Sequence, residues 1–379
     1  MRFTRPILGA AAGAIAALAA LAVAAPSAFA APPAESAAPS QGAVFVQTDN
    51  LIANTVVAYK RSAKGRLTKA GVYQTGGKGG QLEGSKVDFL ASQGSLAMDA
   101  ETGTLFAVNA GSDTITEFAV DGTKLTREAI VPSGGEFPAG VAVSGESLYV
   151  LNARGGGSIQ GYSLKGGKPK LMAAWNRKLG LDPAATPEFT HTPGQVAFTP
   201  DGSKLIVTTK GNTSSIDVFA VKNGAVAQTP VVTSLPEAVP FAVDFDPAGN
   251  LLVAEAGPNA IASFKIASDG SLAPLGAAVP TGQEATCWIT TVGSTAFLSN
   301  AASGTVSAFG VKGASLTALG NTPTSPGTVD SAAAGTYLYV QTGGEGVVDE
   351  FSVGSGGKLT PIGKVTVPGA VGGEGIVAS

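Results

Sequence analysis

Glu255 is the one ionisable residue in a series of positions that are otherwise neutral and polar: Asn109, Asn152, Thr209, Glu255, Asn300 and Thr342. A carboxylate in such company can act as a general base toward water. Lys210 and Arg154 stand beside members of the series and can hold a substrate carboxylate or a developing oxyanion. His191, the only histidine, is a second candidate base, in a loop just ahead of Pro193. Trp288 offers a face for stacking, and Asn109, Asn152 and Asn300 offer amides to a ligand. The same residue types also have a purely structural reading. Asn and Thr cap strand ends by bonding to loop backbone, and tryptophan packs between layers. A Ser-His-Asp set would have to be built on His191, and no G-x-S-x-G elbow accompanies it. Gly76–Gly80 (GGKGG) resembles a phosphate loop in composition alone, since no GK[ST] or helical pattern follows.

The polar series marks the ends of strands in a repeat. Each copy is a strand closing on a small polar or acidic residue, a short Gly/Ser/Asn loop, and a strand of the form I-x-x-F. The copies span 44–59, 105–118, 148–162, 205–219, 251–264, 296–309 and 338–351. From Asn109 to Thr342 the spacings are 43, 57, 46, 45 and 42 residues, the length of one four-stranded blade. Tight turns divide the copies into strands: Glu101-Thr102-Gly103, Asp121-Gly122, Pro200-Asp201-Gly202 and Asp246-Pro247-Ala248-Gly249. Inner strands carry small or β-branched residues, as in Val141-Ala142-Val143 and Val196-Ala197-Phe198, which suits crowding around an axis.

The two ends are halves of one interrupted copy. Gly375–Ala378 (GIVA) has no neighbouring partner in sequence, and Val44–Gln47 (VFVQ) lacks a preceding strand. Joined, they complete a ring, so the fold class is all-β: a seven-bladed β-propeller of four-stranded antiparallel blades, the first closed by the C-terminal strand. Two stretches exceed the period, Gln74–Gln93 and Trp175–Pro193. Both connect an outer strand to the next inner strand and are expected on the face that carries the loops after the second strands. The channel mouth on that face is the expected ligand site.

Residues 1–30 read as a secretory signal peptide: Arg2 and Arg5, an Ala-rich apolar run, then Ala28-Phe29-Ala30 as cleavage site. Residues 31–41 read as a flexible spacer, and 42–379 as the propeller domain. The expectation is a secreted, extracellular monomer that leaves the membrane once its leader is cleaved. One cysteine, Cys287, allows no internal disulfide, so stability must come from a packed core. Net charge is −3 with 13% charged residues, which argues against a nucleic-acid surface. With one histidine and one cysteine, no zinc site of the usual His/Cys kind is expected, and no cofactor is implied.

The repeat L-x-V-x-N-x(5–6)-I-x-x-F with Pro-Asp-Gly turns resembles the seven-bladed lactonase-like propeller family across Gly42–Ser379. That family includes 6-phosphogluconolactonase-type hydrolases and carboxymuconate-cyclising enzymes. Thr192-Pro193-Gly194-Gln195, Glu255-Ala256 and Thr286-Cys287-Trp288 are similar to segments of its exported bacterial members, and Gln195 joins the candidate ligand-binding residues on that ground. Enzymatic members carry a histidine in a P-H-x-V-x-F-S-P-D-G run. Here Pro193–Gly202 places Gly194 at that position, and His191 lies three residues upstream. The resemblance implies the fold and leaves two functions open. One is binding of a small molecule, glycan or protein at the channel mouth. The alternative is a lactone hydrolase or related lyase with Glu255 as base; the missing histidine favours binding.

Overall fold

The computed structural model describes residues 42–379, so the expected leader and spacer lie outside the described residues. Seven antiparallel sheets follow one another along the chain. In blade 2, Leu96–Asp99 is innermost, followed outward by Thr104–Asn109, Thr114–Asp121 and Lys124–Pro132. The other blades repeat this order, and in blades 4 and 5 the outermost strand is broken into two short pieces.

Blade 1 takes its inner strand from the other end of the chain. Ile376–Ala378 pairs antiparallel with Gly42–Gln47 in the register Val44↔Ala378, Phe45↔Val377, Val46↔Ile376. The Gln47 N–H donates to the Gly375 carbonyl at 2.8 Å, and the Ser379 N–H to the Ala43 carbonyl at 2.9 Å. Arg61 adds two bonds from its guanidinium to the Ser379 carbonyl.

The core is divided as the repeat demands. Seven apolar clusters lie one between each pair of adjacent blades, and the I-x-x-F aromatic of each copy anchors one of them. Phe118 packs with Phe45 and Leu105 between blades 1 and 2. Tyr59 packs with Tyr339, Val348 and Ile376 across the closing seam between blades 7 and 1. Tyr162, Phe219, Phe264, Phe309 and Phe351 fill the remaining five interfaces. Each of these side chains reaches into the gap to the preceding blade, so the ring is held by packing as well as by its strand seam.

Near the axis, side chains and backbone tie inner strands together. Gln195 Oε1 accepts the Val243 N–H at 2.6 Å, Asp244 Oδ2 accepts the Thr291 N–H at 2.7 Å, and Thr290 Oγ1 donates to the Ser331 carbonyl. These bonds link blades 4 to 5, 5 to 6, and 6 to 7.

Candidate functional site

The long segment after blade 1 runs onto the face carrying the loops between second and third strands. The Gly79 N–H donates to Asn50, the Gly111 N–H to Lys78, and Arg154 to the Gln81 carbonyl. The segment then crosses the axis. Trp288 Nε1 donates to the Ser92 carbonyl at 2.8 Å, and the Gln93 side-chain amide exchanges two 2.9 Å bonds with the Ile289 backbone. The Gln93 N–H donates to Gly194, and the Val141 N–H to Gly94. Residues Ala91–Ser95 thus touch inner strands or strand starts of blades 3, 4 and 6, and form a plug across the channel mouth. Close approach has a sequence requirement at Gly343, where a Cβ would sit 1.7 Å from the Val87 carbonyl oxygen.

Asp88 shapes the plug. Its carboxylate accepts the backbone N–H groups of Leu90, Ala91 and Ser92 at 2.9 Å each. Lys210 fastens it: Nζ donates to the Ala91 carbonyl at 2.5 Å, the Phe189 carbonyl at 2.7 Å and Thr192 Oγ1 at 2.9 Å. Lys210 is 1% exposed and its backbone is left-handed, with φ of 49°. Burial pushes Lys210 down and Asp88 up, and their mutual attraction opposes both shifts. Three acceptors around Nζ match the three donors of an ammonium, so the geometry fits a charged Lys210.

The predicted site residues are not gathered into one constellation. Glu255 ends the second strand of blade 5 and is 6% exposed; its carboxyl group makes no hydrogen bond among the described residues, and burial raises its pKa. His191 closes a short helix, Glu188–His191, where Nδ1 is bonded to Pro187 and Thr190. Lys210 is turned toward the plug, close in the chain fold to His191 through Thr192 and Phe189. No hydrogen bond joins Glu255 to either. Arg154 makes a forked pair with Glu188 at 2.6 and 3.0 Å and lies over Phe137, 4.4 Å from the ring centroid. That pairing holds Glu188 below the usual carboxylate range.

Asn109, Asn152 and Asn300 staple hairpins. Asn109 donates to Thr114 and Thr116, Asn152 to Ser158 and the Ser133 carbonyl, Asn300 to Thr305 and Ser307. Thr209 does the same with Ser215. Gln195 is engaged in the inter-blade bond described above. The backbone at Gly194 excludes the histidine that the sequence resemblance would place there: a Cβ on Gly194 would meet the Phe241 carbonyl oxygen at 2.3 Å and Thr208 Oγ1 at 2.8 Å. A histidine cannot occupy this position without the main chain moving.

What does open on this face is a pocket of about 420 Å3 beside the plug. Phe189, Phe241 and Trp288 supply aromatic walls, and Val87, Ala91, Ala285, Ala301 and Ala302 the remaining apolar surface, with Cys287 at the side. Phe241 and Trp288 meet edge to face with centroids 5.0 Å apart, and Trp288 is fixed by its bond to Ser92. Lys86 and Asp88 are the charged residues of the lining. Burial pushes the Cys287 thiol up to about 12, so it stays protonated at neutral pH. A second, small cavity of about 40 Å3 lies beside Arg154, Glu188 and His191. Among the described residues no three His, Cys, Asp or Glu side chains converge as a metal site.

Sequence reasoning singled out Trp288 and Lys210 but not the plug that brings them together. One local signal was there: an aspartate opening Asp88-Phe89-Leu90-Ala91-Ser92 can cap the following N–H groups.

Comparison with solved structures places this architecture. Its fold is that of the lactonase-like seven-bladed propellers. A candidate 6-phosphogluconolactonase of Bacteroides fragilis superposes with a TM-score of 0.71 at 18% identity, over 91% of this chain and 99% of that one. The periplasmic gluconolactonase PpgL of Pseudomonas aeruginosa gives 0.70 at 15% identity, over 89% and 99%. AztD of Citrobacter koseri gives 0.57 at 13% identity, over 89% and 98%. No protein-family model and no curated protein sequence matches the chain.

Proposed function

We propose that the chain is a binding propeller that takes a small molecule with an apolar, ring-sized body in the pocket beside the plug. The observation that carries this reading is the pocket's chemistry: three aromatic side chains and little polar lining, next to an axis closed by the chain's own backbone. A glycan would leave its hydroxyls without partners on such walls, and burying them costs free energy. Lys86 at the lining favours a ligand with an anionic substituent. The Ala-rich leader supports an exported protein, and among the described residues no helix is long and apolar enough to cross a membrane.

The test is titration with 8-anilinonaphthalene-1-sulfonate, an apolar ring system with one anionic group. Ala301 lines the pocket, so Ala301→Trp should fill it and weaken binding at least about tenfold, about 1.4 kcal/mol. Equal affinity in the variant would refute the site.

The fold shared with a gluconolactonase supports a second reading, hydrolysis of a lactone. Glu255 would be the base, with its carboxyl unencumbered by hydrogen bonds, and His191 and Lys210 would assist. A lactone screen decides between them. The binding reading expects no turnover above buffer, while turnover lost in Glu255→Gln would establish the enzyme. Gly194→His is expected to destabilise the fold rather than install activity, because the Phe241 carbonyl occupies the space. Thermal unfolding of that variant checks it.

A further inference from the structure

Below the plug, where blade 7 meets blade 1, four carboxyl groups are buried together, and among the described residues none of them is in a salt bridge. Asp49 and Glu374 are inaccessible, and Asp88 and Asp330 are each 4% exposed. Glu374 is the hub. Its Oε1 accepts the Gly94 N–H at 2.7 Å, its carbonyl accepts Ser95 Oγ at 2.7 Å, and its own N–H donates to Asp49 Oδ2 at 2.8 Å. One residue therefore holds the plug on one side and opens the closing strand Ile376–Ala378 on the other.

Among the described residues Glu374 Oε2 is buried with no hydrogen-bond partner, in a cluster with the buried carboxyls of Asp49, Asp88 and Asp330. An ionised carboxylate buried without a donor on one oxygen is costly, so the cluster is satisfied by a proton on Glu374. We propose that this buried proton is a latch on the plug: while it is held, Glu374 keeps Gly94 and Ser95 seated, and its loss drives the clustered acids apart and releases the plug from the mouth.

Burial agrees with this arrangement. It raises Asp49 and Asp330 to about 7 and Glu374 well above the usual range, with Asp330, Asp88 and Asp49 adding repulsion at Glu374. The other charged group facing the cluster is Lys210, whose charge acts on Asp88, and the Cys287 thiol beside it is neutral. The sign follows from linkage. Acids whose folded pKa is raised stabilise the closed state fully below their unfolded values near 4, and that contribution is lost as pH rises through about 7.

Trp288 reports on the latch, since its indole N–H is bonded to Ser92 of the plug. Trp175→Phe leaves it as the single tryptophan. In that background, acrylamide quenching should rise between pH 6 and pH 8.5 while far-UV circular dichroism stays constant. For one proton released, the open fraction grows about tenfold per pH unit until it saturates. Glu374→Gln keeps the shape, supplies its own N–H donors, and should abolish the transition. Should that variant fail to fold, Asp330→Asn tests the same acid cluster from the other side. Quenching that is flat with pH in the parent, or a transition surviving both variants, overturns the latch. So does a transition suppressed by millimolar calcium, which would mean that a cation rather than a proton neutralises the acids.

Discussion

Deleting Ile376–Ser379 is expected to abolish the folded ring. The deletion removes the inner strand of blade 1 and leaves Val44, Phe45 and Val46 with an unpaired edge. It also empties the place of Ile376 in the apolar cluster between blades 7 and 1. Several main-chain hydrogen bonds at about 1 kcal/mol each and a buried isoleucine at about 1.5–3 kcal/mol sum to about 5–10 kcal/mol. That is comparable to the entire stability of a typical domain. Soluble expression and the cooperative unfolding transition should both be lost. The same seam can be tested without deletion. Val46 and Ile376 are directly opposed, so Val46→Cys with Ile376→Cys, in a Cys287→Ser background, should oxidise to an intramolecular disulfide. Two thiols that stay free under oxidising conditions would mean that the ends are not paired.

Lys210→Met is the second substitution with a large effect. The methionine fills similar space but leaves the Ala91 and Phe189 carbonyls and Thr192 Oγ1 without their donor, and removes the positive charge that acts on the buried Asp88. A buried polar group left without its partner costs about 1–3 kcal/mol, so losing three such bonds should cost about 3–5 kcal/mol. Denaturant unfolding should show that loss, and Asp88→Asn added to Lys210→Met should restore part of it. A loss below about 1 kcal/mol would place Lys210 among exposed ion pairs, which its burial contradicts. This substitution should also unseat the plug, because Lys210 is a principal side-chain bond to Ala91.

Much of this architecture was legible in the sequence because a propeller repeats itself. The I-x-x-F aromatics announce the inter-blade layers, the Asp-Gly and Pro-Asp-Gly turns announce the hairpins, and the split copy announces the seam. Asn109, Asn152 and Asn300 were legible as strand ends, and their side chains bond to their own hairpins. The plug was not legible. Gln74–Gln93 has no alternating pattern, and its order comes from single bonds to distant blades, such as Gln93 to Ile289 and Lys210 to Ala91. The pocket was hidden for the same reason, since Val87, Phe189, Phe241 and Trp288 come from four separate parts of the chain. The acid cluster was invisible as well: Asp49, Asp330 and Glu374 look like ordinary surface charges until the ring closes over them.

The proposed ligand pocket contains the only thiol in the chain, and that permits its most direct test. Cys287 should react with an organomercurial, whose strong bond to sulfur displaces the thiol proton, at a rate that bound 8-anilinonaphthalene-1-sulfonate slows in a saturable way. The concentration giving half protection should equal the dissociation constant from fluorescence. Labelling that proceeds at one rate with and without saturating ligand would put the ligand elsewhere and contradict the account.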